Sequence, residues 1–324
     1  MKKSSFLTVD LFSGAGGFSI GFEEAGFQIA LAVDQDKAAA KTYAGNFPHT
    51  LTINEDLRNL TCKDIRYLLG RKNVEVVIGS PPCEPYTGAN PRRKKNPLDR
   101  LYTDPEGGLV LEFIRVVDCL KPKIFVMENV PALIEDGLKN AIKWEFRKAG
   151  YEVFFNILRA EDYGTPSRRV RVFASNIKLR PEKSREKVKV KDAISGLPPP
   201  SPDPDIPNHD IPPNLSKSKL KRVHRLRWGE SLIKYEGAGR KQLPNYIRLH
   251  PHKVAPTVLG SSRFIHPYEP RLLTVREQAR LMGFPDNHVF LGGKDQQYNQ
   301  VGEAVPPPLS KAIGDFVMRW LRND

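Results

Sequence analysis

The chain has 324 residues, with 51 Lys and Arg against 37 Asp and Glu, and therefore a formal net charge of +14. This excess of positive charge favours a polyanionic partner, most simply nucleic acid; a basic enzyme without such a partner is the alternative. The apolar residues near the N-terminus are interrupted by Asp10 and Gly14, so we expect neither a signal peptide nor a membrane span.

The cysteines and the length limit the class of protein further. Cys62, Cys83 and Cys119 are odd in number and lack paired spacing. They predict neither a disulfide framework nor a zinc site, and they favour a reducing, cytoplasmic environment. The length fits one large domain with a smaller one.

The chain begins with a pattern typical of nucleotide-binding sheets. A predicted strand over 6–12 runs into Ser13-Gly14-Ala15-Gly16-Gly17, and a predicted helix follows. Glycines at this junction let backbone N–H groups approach a ligand closely. The next strand, 28–33, ends at Asp34, whose carboxylate can accept hydrogen bonds from a ribose. NAD and S-adenosylmethionine both fit, although a dinucleotide fingerprint places Gly where Ser19 stands; a purely structural turn is the alternative.

The next informative stretch follows a predicted helix over 37–46, a strand over 51–53 and a helix over 64–69. The apolar run 76–78 predicts a buried strand, which Gly79-Ser80-Pro81-Pro82 ends. The two prolines fix φ and remove two backbone donors, so Cys83 is the first side chain beyond a stiff turn. Ligands bind at this edge of open α/β sheets. A nucleophilic thiol is one interpretation, and a buried structural cysteine is the other.

The segment 84–108 is predicted to lack regular structure, as expected of a lid or a disordered loop. It contains Arg92-Arg93-Lys94-Lys95, which beside a candidate nucleophile predicts a lid that closes over phosphates. A solvated run of charge is the alternative.

Two later segments bring further polar groups to the predicted sheet. A strand over 124–127 ends at Glu128, either a second group of the site or a cap for the helix predicted over 132–149. Arg169 and Arg171 share one face of another predicted strand, because side chains alternate with a period of two. Two arginines on an otherwise apolar sheet need an acceptor-rich partner.

The second half of the chain is more irregular. A proline-dense stretch, 197–213, predicts a linker or loop, and the cationic run 217–228 predicts phosphate contacts. A helix predicted over 306–321 ends the chain.

Six motifs carry a resemblance when taken in this order. They are Phe12-Ser13-Gly14-Ala15-Gly16-Gly17, Pro81-Pro82-Cys83, Glu128-Asn129-Val130, Arg169-Val170-Arg171, Ala255-Pro256-Thr257-Val258 and the run 297–307. Together they closely resemble the cytosine carbon-5 DNA methyltransferases over 9–316, except for 201–245. The resemblance implies an α/β, Rossmann-like S-adenosylmethionine methyltransferase fold with a mostly parallel sheet and a small irregular target-recognition domain. It assigns 1–178 and 300–324 to the catalytic domain, and 179–299 to target recognition and a hinge.

The resemblance also implies an enzyme, a DNA (cytosine-5-)-methyltransferase that uses S-adenosylmethionine and no metal. Cys83 would attack carbon 6 of a flipped cytosine, and Glu128 would contact ring N3 and the exocyclic amine. Arg171 would hold the base oxygen, with Arg169 supporting it. The implied cofactor-binding residues are Phe12, Gly14, Ala15, Gly17, Asp34, Gln35, Asp56, Leu57, Pro82, Leu109, Glu303 and Ala304. Asp34 would bind the ribose, and Asp56 the adenine amine.

Double-stranded DNA is the implied partner of a monomer that does not bind membranes, and a cognate restriction endonuclease would act on the same site. Three residues depart from the family pattern: Glu84 and Ser167 replace Gln, and Glu303 replaces Asn. Two alternatives stay open, a tRNA cytosine methyltransferase and a catalytically silent DNA-binding regulator. Pro85-Tyr86-Thr87 lacks the Cys-Phe-Thr signature of the tRNA branch, and the intact reacting residues oppose the second alternative.

Overall fold

The computed structural model describes residues 6–70, 72–135, 137–240 and 242–323. The strands in these ranges are β1 (Leu7–Leu11), β2 (Gln28–Asp34), β3 (Leu51–Asn54), β4 (Val76–Gly79), β5 (Ile124–Asn129), β6 (Phe154–Arg159), β7 (Val170–Ser175), β8 (Ser231–Glu236), β9 (Gln242–Arg248) and β10 (Phe264–Ile265). The helices are α1 (Gly17–Glu24), α2 (Lys37–Asn46), α3 (Cys62–Leu68), α4 (Pro97–Tyr102), α5 (Leu109–Leu120), α6 (Leu138–Lys148), α7 (Val190–Ile194), α8 (Lys217–Val223), α9 (Val275–Met282), α10 (Lys294–Glu303) and α11 (Pro307–Asn323).

The larger sheet has the strand order β3-β2-β1-β4-β5-β7-β6. Strands β1 to β5 run parallel, whereas β7 lies antiparallel between β5 and β6. The order reverses between β1 and β4, so the carboxyl ends of these two strands lie side by side. Doubly wound sheets bind ligands at this switch point. The predicted α/β fold with a mostly parallel sheet is confirmed.

Helices cover both faces of the larger sheet because its central strands are apolar on both sides. On one face, α5 and α6 pack Phe113 and Phe146 against Phe125. On the other face, α1 and α11 pack together over β4 and β5. The close approach of α11 to α1 requires Gly21, because a Cβ there would lie 2.2 Å from the backbone nitrogen of Lys311. The C-terminal helix, predicted over 306–321, therefore packs back onto the N-terminal half.

The second half of the chain contains a smaller sheet of order β10-β9-β8. Val223, Leu232, Ile265 and Leu272 form a small core beside it. A larger apolar cluster joins α9 and α10 to α2 and to the glycine turn after β1. The tip of the β8–β9 hairpin contacts the loop after Cys83, since the Ala238 N–H donates to the Gly88 carbonyl at 2.9 Å.

Two predicted segments differ from the structure. The helix predicted over 132–149 is interrupted: a 3₁₀ turn covers Pro131–Ile134, Gly137 takes a φ of 86°, and α6 begins only at Leu138. The segment 84–108 is not structureless, because it contains α4, whose first turn Asn96 caps through a side-chain hydrogen bond to the Leu98 N–H.

The prediction that no disulfide forms is wrong. Cys62 and Cys119 are bonded, with their Cα atoms 5.7 Å apart, and Cys83 is left as the free cysteine. The pairing depends on the packing of α3 beside α5, which spacing along the sequence does not reveal. Cysteine usage therefore no longer supports a reducing environment. Among the described residues, no helix is both long and apolar enough to cross a membrane.

Candidate active site

A cavity of about 290 Å³ opens at the switch point between β1 and β4. Thirteen predicted site residues line it: Phe12, Gly14, Ala15, Gly17, Asp34, Gln35, Pro82, Cys83, Glu128, Arg169, Arg171, Glu303 and Ala304. A smaller cavity shares Phe12, Asp34 and Gln35 with the first and is lined by the other three, Asp56, Leu57 and Leu109. The structure thus brings all the predicted site residues to one edge of the sheet.

The glycine turn after β1 forms one end of the cavity, and its shape depends on missing side chains. Gly16 has a φ of 88°, and a Cβ there would lie 2.3 Å from the ring of Phe47. A Cβ on Gly17 would lie 2.3 Å from the Val305 carbonyl oxygen. The turn therefore lies tightly between Phe47, which follows α2, and the segment before α11.

Polar groups at this end suit an adenosine-containing ligand. The Ser13 hydroxyl is buried, lines the cavity and has no hydrogen-bond partner among the residues described. Asp34 accepts hydrogen bonds from the Gly14 N–H at 2.7 Å and from the Asp36 N–H at 2.8 Å. Burial raises the pKa of Asp34, and these two hydrogen bonds oppose the rise. A carboxylate oxygen retains further lone pairs for ligand hydroxyls, so the residues present fit S-adenosylmethionine.

Asp56, which lines the smaller cavity, has a partner that was not predicted from the sequence. The Arg58 guanidinium binds Asp56, with an Nη2–Oδ2 distance of 2.5 Å. Hydrogen bonding to Arg58 lowers the pKa of Asp56, so this carboxyl is ionised at neutral pH and accepts hydrogen bonds. Any amine that binds Asp56 must share it with Arg58. The signal was local, because Arg58 lies only two residues beyond Asp56.

The turn that carries Cys83 is fixed from both sides. The Asn129 side chain at the end of β5 donates to the Pro81 carbonyl at 3.0 Å. The N–H groups of Tyr86 and Thr87 both donate to the Cys83 carbonyl, at 3.0 and 2.9 Å. The rigid mount predicted from the two prolines is therefore completed by hydrogen bonds from a neighbouring strand.

The Cys83 thiol is strongly held in its protonated form. Burial raises its pKa to about 12, and the negative charge of Glu84 contributes to the rise. The positive charge of Arg171 acts in the opposite direction but does not prevail. At neutral pH the free protein therefore has almost no Cys83 thiolate, and a bound substrate must help to remove the proton.

Glu128 and Arg171 form a buried ion pair beside Cys83. Their Oε1 and Nε atoms are 2.8 Å apart, and the side chains are only 6% and 9% exposed. The pair lies across neighbouring strands, since Glu128 on β5 is opposite Phe173 on β7, two residues from Arg171. Oε1 of Glu128 has no aligned hydrogen-bond donor among the described residues. The carboxylate thus retains hydrogen-bonding capacity toward the cavity.

Arg169 has a different position from Arg171. It lies just before β7 and is 2% exposed. Its Nη1 donates to the carbonyls of Val258 and Gly302 at 3.0 and 2.8 Å. A third bond, from Nη2 to the Glu303 carbonyl, is 3.2 Å long. Arg169 therefore joins the edge of the larger sheet to the second half of the chain.

The three departures from the family pattern occupy distinct places. Glu84 and Glu303 line the main cavity, and burial, with the charges of Glu84 and Asp34, raises the pKa of Glu303 to about 7. Ser167 is fully buried, and its hydroxyl lies 3.7 Å from the sulfur of Met282. Only Ser167 is thus removed from the cavity.

The four cations of the segment 84–108 do not act as one run. Arg93 donates to the Tyr86 carbonyl at 2.9 Å, and Lys94 to the Thr103 carbonyl at 2.7 Å. These two cations hold the loop together, whereas Arg92 and Lys95 are exposed. Phosphate contacts can therefore be expected of only two of the four.

Three polar residues of α10 that were not predicted as site residues also line the cavity, Gln296, Asn299 and Gln300. They share a helix face with Glu303, because positions i, i+3, i+4 and i+7 coincide. This spacing is visible within the motif 297–307 and the residue before it.

Comparison with known proteins agrees with these features. The family described as C-5 cytosine-specific DNA methylase matches residues 6–319. A protein assigned as type II methyltransferase M.MJ0563P, from Methanocaldococcus jannaschii, is 49% identical over 317 residues, covering 97% of this chain and 99% of its own. Type II methyltransferase M1.HphI of Haemophilus parahaemolyticus is 38% identical and covers 99% of this chain and 88% of its own.

Solved structures give the same result for the fold. The crystal structure of a protein assigned as a DNA modification methyltransferase encoded within a prophage (E. coli) has a TM-score of 0.79 and 28% identity. It covers 98% of this chain and 100% of its own. The Dnmt2 methyltransferase of S. pombe has a TM-score of 0.66 at 18% identity, over 99% of both chains, a likeness that concerns the fold alone.

Proposed function

The chain belongs to the C-5 cytosine-specific DNA methylase family and is a DNA methyltransferase, and from this premise we propose its reaction. It transfers a methyl group from S-adenosylmethionine to carbon 5 of cytosine in a specific duplex DNA sequence, through a covalent Cys83 adduct on a flipped base. The observation that carries the proposal is the meeting of Cys83, Glu128 and Arg171 with the glycine turn in one cavity.

The cofactor-binding residues divide between the two cavities. S-adenosylmethionine supplies an electrophilic methyl group. Backbone from Gly14 to Gly17 and the carboxylate of Asp34 hold the ribose and amino acid parts, while the smaller cavity takes the adenine with Asp56 as acceptor for its amine. Phe12, Ala15, Gln35, Leu57, Pro82, Leu109, Glu303 and Ala304 complete the cofactor surface.

Cys83 acts on the base once its thiol is deprotonated. The sulfur adds to carbon 6 of the cytosine, and carbon 5 gains the electron density needed to attack the methyl group. One oxygen of Glu128 accepts from the exocyclic amine, and a proton on the other oxygen donates to N3. Arg171 donates to the base oxygen, so both residues stabilise the charge that develops on the ring. Loss of the carbon 5 proton to solvent and elimination of the Cys83 thiolate restore the base and the enzyme, and the cofactor would leave as S-adenosylhomocysteine. Arg169 positions Arg171 and, through its bonds to the carbonyls of Gly302 and Glu303, the side of the cavity formed by α10.

Duplex DNA is the substrate that suits the net charge of +14. A stacked cytosine cannot reach a thiol on a fixed turn, so the target base leaves the helix at a cost of a few kcal/mol. We assign catalysis to residues 1–178 and 300–324, and target recognition and the hinge to 179–299. The enzyme acts as a monomer, and a restriction endonuclease is its partner at the same sequence.

The test begins with bisulfite sequencing of DNA from a host that expresses the protein, which identifies the methylated sequence. A duplex of that sequence with 5-fluorocytosine at the target should then form an adduct stable to denaturing gels, because fluorine cannot leave as a proton does. The adduct should require S-adenosylmethionine, and Cys83→Ser should abolish it while retaining cofactor binding. Methylated DNA without an adduct would refute the covalent step.

The same experiment separates the alternatives. Methyl transfer to tRNA but not to the duplex would identify an RNA enzyme. Binding to the duplex with neither methylation nor adduct would identify a silent regulator.

A further inference from the structure

A chain of three buried side chains lies behind the glycine turn, outside the cavity. The Tyr43 hydroxyl donates to the Ser19 oxygen at 2.6 Å, and the Ser19 hydroxyl donates to Oδ2 of Asp10 at 2.6 Å. Asp10 is 1% exposed, and Ser19 and Tyr43 are fully buried. The reaction proposed above uses none of these groups.

The three side chains connect the elements that hold the turn in place. Asp10 lies on β1, Ser19 on α1 and Tyr43 on α2. The ring of Tyr43 is stacked on Phe47 at 4.3 Å, and Phe47 packs against Gly16. Ser19 occupies the position where a dinucleotide fingerprint has Gly, and the hydrogen bond to Asp10 accounts for that difference.

Asp10 is a buried carboxyl with no cation among the charges that act on it. Burial raises its pKa to about 7, the Ser19 hydrogen bond lowers it, and the negative charge of Asp34 raises it. Tyr43 faces it through Ser19, and Glu23 acts on Tyr43 in turn. Its partners across the sheet, Ala32 and Ile78, are uncharged. Asp10 is therefore the group of the three whose pKa lies near neutral pH, because burial also raises the pKa of Tyr43 well above its usual value.

We infer that the Asp10–Ser19–Tyr43 chain is a proton-linked positioning device for the cofactor turn, so that binding of the positively charged cofactor releases a proton from Asp10. The inference rests on the proposed function, because it requires S-adenosylmethionine to bind at the turn. A sulfonium cation near the turn favours ionised Asp10, whose carboxylate then holds Ser19 more firmly. By linkage, cofactor affinity rises as the pH rises through about 7.

The test is isothermal titration calorimetry of the full chain near pH 7, in phosphate and in Tris buffer, whose ionisation enthalpies differ. S-adenosylmethionine should release a few tenths of a proton per site more than S-adenosylhomocysteine, which lacks the sulfonium charge. Both ligands carry the same amino acid group, and the comparison of wild type with Asp10→Asn separates the Asp10 proton from any proton that this group exchanges. Affinity for S-adenosylmethionine should be about threefold to tenfold higher at pH 8 than at pH 6.

Variants assign the proton to its source. Asp10→Asn should remove most of the extra release and flatten the pH dependence. Ser19→Ala deletes the hydrogen bond that lowers the Asp10 pKa, so it should shift the rise in affinity to higher pH. Glu303 also has a pKa near 7, and Glu303→Gln should leave the Asp10 share of the release intact.

Each outcome has one meaning. A folded Asp10→Asn protein that binds S-adenosylmethionine and releases as many protons as the wild type would overturn the inference. If Asp10→Asn does not fold, an unshifted pH profile in Ser19→Ala would overturn it instead. A wild-type protein that gives no binding heat with either ligand would contradict the proposed function.

Discussion

The two ends of the cavity are built by different means. At the cofactor end, the contiguous residues 13–17 form a tight turn, in which a Cβ on Gly16 or Gly17 would lie 2.3 Å from a neighbouring atom. At the base end, three separate segments contribute side chains, namely Cys83, Glu128 and the pair Arg169 and Arg171, with a buried ion pair between Glu128 and Arg171. Backbone tolerates substitution until a new atom collides, whereas a buried charge fails when its partner is lost. The two ends should therefore respond differently to mutation.

The largest effect is expected at the base end. Glu128→Gln keeps the shape of the side chain but leaves Arg171 without its counter-ion and weakens the contact with the base. We expect methylation to fall by about 10²-fold to 10³-fold and the free energy of unfolding to fall by about 3–5 kcal/mol. Radiolabelled methyl transfer and denaturant unfolding measure the two losses.

The matched control for that variant is Asp315→Asn, which breaks the exposed Lys311–Asp315 pair of 2.8 Å on α11. It should cost no more than about 1 kcal/mol and leave methylation unchanged. Equal losses of stability and methylation in the two variants would mean that burial of the Glu128–Arg171 pair contributes to neither.

At the cofactor end, a collision should matter more than backbone conformation. Gly17→Ala places a Cβ 2.3 Å from the Val305 carbonyl, so the turn or the segment before α11 must move. We expect a loss of about 1–3 kcal/mol in stability and at least tenfold weaker cofactor binding by calorimetry. Gly14→Ala meets no atom within 4 Å and has only its φ of 53° to accommodate, which costs roughly 1–2 kcal/mol.

The contrast between these two glycines is the informative quantity. If Gly17→Ala changes neither stability nor cofactor affinity, close packing against Val305 is not what shapes the turn.

A smaller effect should follow from Glu84, the neighbour of the nucleophile. Its charge raises the pKa of Cys83, so Glu84→Gln should lower that pKa and increase the thiolate fraction at any pH below it. Alkylation of Cys83 by iodoacetamide at pH 8–9 should become about threefold to tenfold faster. Glu106→Gln, in the same loop, should leave the rate unchanged. A rate for Glu84→Gln at or below that of the wild type would contradict the electrostatic account.

The smallest effect separates the loop cations. Binding to duplex DNA should weaken with salt, and each phosphate contact contributes about −0.9 to the log–log slope. Replacing the exposed Arg92 and Lys95 with Gln should flatten the slope by about two such contributions. Replacing Arg93 and Lys94, which bond to loop carbonyls, should lower thermal stability and leave the slope nearly unchanged. Equal slope changes in both pairs would assign all four residues to the DNA surface.

The two ends also differ in how far sequence predicts them. The glycine turn is local, so its strand, glycines and helix were predicted correctly, including Asp34 at the end of β2. Cys83 and Glu128 were predicted at strand ends and Arg171 on one face of a strand, but the contact between Glu128 and Arg171 depends on β7 lying antiparallel beside β5. Hydrophobic periodicity does not encode strand direction. The resemblance of six motifs to a known family was therefore needed to assign these three residues to one site.

The errors have the same origin. The α4 helix depends on a cap and on Tyr86, whose hydroxyl bonds the Gly107 carbonyl at 2.8 Å across the loop. The pairing of Cys62 with Cys119 depends on two helices that meet only after folding. The pairing of Arg58 with Asp56 could have been predicted from the sequence, because the two residues lie only two positions apart.

The disulfide encloses the segment that carries Cys83 in a covalent ring. The bond between Cys62 and Cys119 closes a ring of backbone that contains β4, Cys83 and the whole segment 84–108. A protease that cuts once among the exposed residues near Arg92 would open this ring without separating the molecule into two pieces. The cut protein should run as two fragments on a denaturing gel only after reduction. Cys83 would stay on the N-terminal fragment with the glycine turn, and the disulfide would hold that fragment to the rest of the chain.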